Sequence, residues 1–166
     1  MTHFELYNIP PSLSPDPSLV KKRFYELSRK YHPDFHGQAS EEEQAAILET
    51  ASQVNRAFKV FGNADETIKY VLQLKGLLTE EEKYQLSPDF LMEVMELNEQ
   101  LMEVEDEQGK TTVQERINQL KNEVYEPVAK IVENYQEGIT TEEELLQVKE
   151  YYYRKKYLDR IAGELR

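Results

Sequence analysis

Near the N-terminal end of the chain, His32, Pro33 and Asp34 stand in a row, and His36 comes four residues after the first histidine. Three kinds of chemistry could use this set. A His beside a carboxylate could move a proton as a general acid or base. Two His at i and i+4 could hold a metal, but that spacing works only on a continuous helix, and Pro33 interrupts it. A proline corner could also simply display a His and an Asp to another molecule. The first use lacks a nucleophile, a second clustered base and a Gly-rich phosphate loop. The second lacks an HExxH pattern, and the absence of Cys excludes thiolate ligands and disulfides. The expectation is therefore no catalytic residue, no metal and no cofactor. Display to a partner is the use that is left.

The flanking elements support display. Asp16-Pro17 supplies an N-cap followed by a proline at the first helical position. Val20, Phe24, Leu27 and Tyr31 then recur at helical spacing, and the spacing predicts a helix that must stop at Pro33. Lys22 and Arg29 lie opposite this stripe, with Arg23 and Lys30 along one flank, so the outward surface is basic. Beyond the corner, Ser40 and Glu43 read as a capping box. Ile47, Ala51, Val54, Phe58 and Phe61 form a second stripe, closed by Gly62-Asn63. A short turn is expected over 3–7 and a small helix over 64–75 ending at Gly76.

The rest of the chain differs in charge. Residues 1–76 carry 9 Lys+Arg against 10 Asp+Glu, whereas residues 77–166 carry 11 against 22. With a net charge of −12 the chain would be repelled by nucleic-acid phosphates. No apolar run approaches the length of a membrane span, and the first residues resemble neither a signal nor a transit peptide. Residues 77–87 are polar and read as a linker. Ser87-Pro88 restarts a helix over 88–108 with Phe90, Val94, Leu97, Leu101 and Val104 on one face, and Gly109 is expected to break it. A long helix comes next with Val113, Ile117, Leu120, Val124, Val128, Ile131 and Tyr135 in register, kinked at Pro127 and ended by Gly138. Thr141 with Glu144 caps a last helix whose stripe drifts from Leu145, Val148 and Tyr152 toward Tyr157 and Ile161. The chain reads as all-α, a helical hairpin followed by an acidic three-helix bundle.

The hairpin resembles the J domain of DnaJ-type co-chaperones. The resemblance rests on Tyr31-His32-Pro33-Asp34 between two such helices, on Asn55-Arg56-Ala57-Phe58 in the second, and on Phe4-Glu5-Leu6-Tyr7 near the start. It implies a partner, a DnaK-type ATPase chaperone bound through His32, Pro33, Asp34, Lys22, Arg23, Arg29 and Lys30. The basic residues would steer an acidic surface, and Asp34 would accept a charge-assisted bond from a partner Arg. Were the tripeptide merely a turn, Asp34 would do no more than cap the next stretch of backbone. Many J domains continue with a Lys after the Asp, whereas this chain has Phe35-His36-Gly37, so contacts just past the motif are open.

Every Met after the first lies at 92, 95 or 102. Leu91, Met95 and Met102 fall roughly 120° from the core stripe of their helix, with Met92, Glu96, Glu99 and Glu103 beyond them. Such a strip can widen a bundle core, or it can form an adaptable binding surface, as Met often does. A J domain followed by an acidic bundle, without a Gly/Phe-rich linker or Cys-rich modules, resembles the HscB co-chaperone family along essentially the whole chain. The string Phe90-Leu91-Met92-Glu93, then Met95-Glu96-Leu97, is similar to that family's scaffold-binding segment. The resemblance implies an IscU-type iron–sulfur scaffold bound by Leu91, Met92, Met95, Glu96, Glu99, Glu103 and Tyr157, and delivered to an HscA-type chaperone whose ATP hydrolysis it stimulates. It also implies a compact, bacterial-type cytoplasmic form with no enzymatic activity of its own. The other reading is a J protein serving a different client.

Overall fold

The computed structural model describes residues 1–165. Among them no strand occurs, and no helix is long and apolar enough to cross a membrane. The helices are α1 (His3–Tyr7), α2 (Pro17–Lys30), α3 (Glu41–Phe61), α4 (Ala64–Leu74), α5 (Pro88–Met102), α6 (Glu107–Tyr125), α7 (Ala129–Glu133) and α8 (Glu142–Gly163). Two 3₁₀ turns, Pro33–Phe35 and Glu126–Val128, interrupt the run. The contacts divide the chain into two compact units, residues 1–71 with 135–139 and residues 72–134 with 140–166.

Short polar side chains start the helices where the sequence places them. Asp16 accepts from the Ser18 amide at 3.0 Å, Ser40 from Glu43 at 3.2 Å and Ser87 from Phe90 at 3.3 Å. At Thr141 the full reciprocal box forms, because the Glu144 carboxylate also accepts from the Thr141 amide at 3.0 Å. Gly62 caps α3, and Gly76, with φ +72°, adopts a left-handed turn that a side chain would strain.

In the first unit, α2 and α3 pack as a hairpin, and the Phe24 ring stacks on Phe58 at 4.0 Å. Phe4 and Tyr7 of α1 close one end of this core against Phe61, each with its ring centre 5.2 Å away. The Tyr7 side chain is fully buried and its hydroxyl donates to the Val54 carbonyl at 2.7 Å, and burial holds its pKa well above the usual phenol value. Ile68 and Val71 of α4 are buried as expected, and so is Leu72, the first residue of the second unit.

The second unit is built on α5, α6 and α8. Phe90, Val94 and Leu97 meet Val113, Ile117 and Leu120 of α6 and Leu158 and Ile161 of α8 in one core. Several details differ from expectation. α5 ends at Met102, and Gly109 lies inside α6 instead of breaking the chain. The cause is Asp106, whose carboxylate accepts from the Gly109 amide at 2.7 Å and caps α6 earlier. A Cβ at position 109 would approach that carboxylate to 3.2 Å, which glycine avoids. Pro127 does more than kink a helix, since it sits in a 3₁₀ turn that separates α6 from α7. The tighter turn shifts the phase by one residue, so Val132 is buried instead of Ile131. α7 then stops at Glu133, leaving Tyr135 outside any helix, and Gly138 occupies a later turn at φ +81°. On α8 the drift of the stripe buries Leu158 completely and leaves Tyr157 on its edge.

Residues 77–87 form no helix, yet they are held on α8. The Lys149 ammonium meets the Glu82 carboxylate at 2.6 Å, and the Tyr84 ring stacks on Tyr153 at 4.6 Å. Leu78 is buried. Polarity marks this stretch as a connector, but its apolar and aromatic side chains are packed against the bundle.

Tyr7→Phe keeps the ring packing and removes the one hydroxyl that donates to the Val54 carbonyl here. It should lower stability by about 1 kcal/mol in urea unfolding. An unchanged midpoint would mean that this hydrogen bond contributes nothing to the hairpin core.

Candidate functional site

The corner of the first unit is a 3₁₀ turn displayed between α2 and α3. His32 is extended, with φ −75° and ψ 130°, as a residue before proline should be. Its ring turns back on the corner, where Nδ1 accepts from the Asp34 amide at 3.2 Å. A neutral ring that makes this bond carries its proton on Nε2. The Asp34 carboxylate lies 3.7 Å from Nδ1, and its side chain is 86% exposed, so its oxygens remain open to an outside donor. His36 has a different task. Its Nε2 donates to the Lys30 carbonyl at 2.8 Å, satisfying a carbonyl at the end of α2. The Gln44 amide bridges the carbonyls of His36, Gly37 and Ala39 at 3.2–3.3 Å. The two histidines thus serve separate bonds.

The basic residues do not act as one set. Lys22, Arg29 and Lys30 are exposed, and the Lys30 ammonium sits 5.3 Å from the centre of the Tyr31 ring. Arg23 is half-buried and paired with Glu26 at 3.2 Å, which fixes it to its own helix. Sequence reasoning did not single out Phe35, which is exposed and meets His32 edge-on with ring centres 5.9 Å apart. The signal was present, since this aromatic stands where many J domains carry a Lys. Behind the corner, Pro33 and Tyr31 border a cleft of about 210 Å³ shared with Ala51, Val54 and Asn55.

In the second unit the strip predicted on α5 is on the surface. Leu91, Met92 and Met95 are 39, 64 and 62% exposed, while their neighbours Phe90 and Val94 are buried. Glu96, Glu99 and Glu103 are exposed along the same side. The residues therefore do not widen the core. Arg154 of α8 fixes the start of this helix: its guanidinium lies 5.1 Å from the Phe90 ring centre and donates to the Ser87 cap hydroxyl at 3.2 Å. The same group is paired with Glu150 at 2.8 Å.

Tyr157 joins the strip only through Leu91. These two residues share an open cleft of about 490 Å³, whereas Met92, Met95 and the three glutamates lie outside its lining. The cleft is walled by residues 82–86 and by α8, which no helical wheel of α5 could reveal. The Arg160 guanidinium lies 5.6 Å from the Tyr157 ring centre.

The chain is similar to known proteins in both sequence and fold. Residues 86–166 match the family model for the HSCB C-terminal oligomerisation domain. The chain is 40% identical over 105 residues to the co-chaperone protein HscB homolog of Vibrio vulnificus, an alignment spanning 63% of this chain and 61% of that protein. It is 36% identical over 107 residues to the homolog from Photobacterium profundum, spanning 64% of this chain and 63% of the relative. The alignments thus cover somewhat under two-thirds of these relatives' length. Among solved structures, human co-chaperone protein HscB superposes with a TM-score of 0.81 at 25% identity, covering 99% of this chain and 80% of that one. Chaperone HscB from Vibrio cholerae shares the fold, with a TM-score of 0.75 at 24% identity over 99% of this chain and 95% of that one. The fold is that of a J domain followed by a helical bundle. The chain is thus similar to HscB co-chaperones in sequence and in fold, with residues 86–166 carrying the match to the family model.

One wall of the cleft depends on pH. The hydrogen bond from Lys149 holds the Glu82 carboxyl below its ordinary value of 4.5, against a smaller opposing effect of burial. The unfolded chain then binds more protons than the folded one, so stability rises with pH across this window. The contribution should be complete above about pH 4.5 and be lost as pH falls through the lowered folded value. Urea unfolding of wild type and Glu82→Gln should therefore differ at neutral pH and converge as pH falls through the lowered folded value. A constant difference would rule out the ion pair as its source.

Proposed function

We propose that this protein delivers an IscU-type iron–sulfur scaffold to an HscA/DnaK-type chaperone in the cytoplasm and stimulates that chaperone's ATP hydrolysis. Residues 1–76 act as the J domain, 77–87 as the connector and 88–166 as the scaffold-binding bundle. The observation that carries the reading is that one chain exposes both surfaces: a rigid corner with an open Asp34 carboxylate, and a Leu/Met strip edged by glutamates on α5.

Each surface has a physical task. Lys22, Arg29 and Lys30 attract an acidic face of the chaperone, raising encounter rate and setting orientation. Asp34 then accepts a charge-assisted bond from a cationic side chain of the chaperone, in the manner of carboxylate–guanidinium pairs. The corner is already in shape, through Pro33, the His36 bond to Lys30 and the Gln44 bridge, so little ordering is lost on docking. On the other surface Leu91, Met92 and Met95 bury apolar area against the scaffold, with Tyr157 at the margin. Glu96, Glu99 and Glu103 select a basic rim on the client. The chain contributes no reacting group, since the chemistry belongs to the chaperone's nucleotide site.

The decisive measurement is the steady-state ATPase rate of the cognate chaperone, with this protein and the scaffold added singly and together. Synergy is expected. Stimulation without synergy would leave only the J domain working, on behalf of some other client. Asp34→Asn should reduce stimulation by about ten-fold or more, comparable to losing one charge pair, with scaffold affinity kept. Leu91, Met92 and Met95 changed together to Ala should do the reverse. Scaffold affinity that survives the triple change would mean that the assigned face is wrong.

A further inference from the structure

The cations of the acidic half differ in how they are paired, and those without an ion pair among the described residues include Lys110 and Lys130, which lie outside the cleft lined by Leu91 and Tyr157. Most of those on α6 and α8 are committed: Lys121 and Lys155 hold Asp159 at 2.6 and 3.0 Å, Lys149 holds Glu82, Arg154 holds Glu150, and Arg116 reaches Glu123 at 4.0 Å. Among the described residues, Lys83, Lys156 and Arg160 form no ion pair, although carboxylates outnumber cations two to one over residues 77–166. All three are exposed, and all three line the 490 Å³ cleft that Leu91 and Tyr157 share. The carboxylate on that wall, Glu82, is already neutralised by Lys149.

The remaining wall is aromatic. Tyr84 and Tyr153 are stacked and so present one rigid surface. Burial raises the pKa of both phenols, that of Tyr153 to about 12, so at neutral pH both remain O–H donors. Tyrosines at a surface cleft combine apolar area with a polar tip, the composition of an adaptable protein contact. The volume is in the range of small binding sites, but the cleft is open, so it suits a side chain or two on an extended segment. The uncommitted charges are positive, in a unit that is otherwise strongly negative. They do not complement the glutamate strip's partner; they require an anionic one.

We infer that this cleft receives a carboxylate-bearing segment of the same client that covers the α5 strip. The inference rests on the scaffold-binding reading above and adds a second, oppositely charged contact to it. The client is then held at two signs: its cations on Glu96, Glu99 and Glu103, and its carboxylate among Lys83, Lys156 and Arg160. Leu91 belongs to both surfaces and joins them. A client with a uniformly basic face would fit the strip but not the cleft. One docked in reverse would set like charges against each other at both ends, so the arrangement selects orientation.

The test measures binding of an IscU-type scaffold protein to the full chain by calorimetry. Arg160→Glu should weaken binding by about ten-fold or more, and neutral Arg160→Gln by a smaller factor, as expected for one interfacial charge pair. Lys130→Glu, on α7 and away from the cleft lining, makes the same change in net charge and should leave affinity within about two-fold. If Arg160→Glu binds as wild type does, or if Lys130→Glu weakens binding equally, the cleft contact is overturned while scaffold binding by the strip stands. If the wild-type chain binds no scaffold, the reading beneath the inference falls with it. Retained helical circular dichroism in each variant excludes unfolding as the cause, as the exposure of both residues leads one to expect.

Discussion

α5 carries apolar side chains on two sides, and the bundle can cover only one of them. Phe90, Val94 and Leu97 are the side that α6 and α8 enclose. Once they are inside, helical geometry turns Leu91, Met92 and Met95 outward, with Glu96, Glu99 and Glu103 beside them. A contiguous apolar strip left in water is a cost that a bundle of this size need not carry for its own folding. The arrangement also depends on its first turn. Arg154 lies over Phe90 and donates to the Ser87 cap, so the rotation of α5 about its axis is set from α8. A turn of about a third of a revolution would exchange core for strip.

The hairpin corner obeys a comparable constraint on a smaller scale. A helix cannot run through Pro33, and the carbonyls it leaves at the end of α2 need donors. His36 supplies one, and Gln44 ties the turn beyond it. His32 is drawn inward to the Asp34 amide, which leaves the Asp34 carboxylate as the open acceptor of the corner. The tripeptide therefore divides its work: proline shapes, histidine braces, and aspartate is presented. In the function proposed above the chaperone docks on α2 and its corner and the client on α5 and α8, so substitutions should separate the two activities.

Local signals were the legible part of the fold. Caps at Asp16, Ser40, Ser87 and Thr141 start helices where short polar side chains precede an apolar repeat. The reading failed where a local rule met a competing one. Gly109 looked like a breaker, but Asp106 recruits its amide for a cap. Pro127 looked like a kink, but the 3₁₀ turn around it moved the register beyond it and ended α7 early. Tyr157 and Leu158 are adjacent on a drifting stripe, and only the packing of α8 decides that Leu158 goes inside. Of the candidate site, the exposure of Asp34 and of the α5 strip can be read from the pattern. Arg23's pairing with Glu26 cannot.

By itself the sequence determined the helices, the corner at His32-Pro33-Asp34 and the two-sided character of α5, because these depend on spacings within a few turns. Only the tertiary structure decided what lies next to the strip. It lays residues 82–86 along α8, pairing Glu82 with Lys149 and Tyr84 with Tyr153, partners far apart along the chain. By using up those groups it leaves Lys83, Lys156 and Arg160 around one cleft with no ion pair among the described residues. Which charges are satisfied and which remain available is a property of distances between elements, and no periodicity along a single helix encodes it.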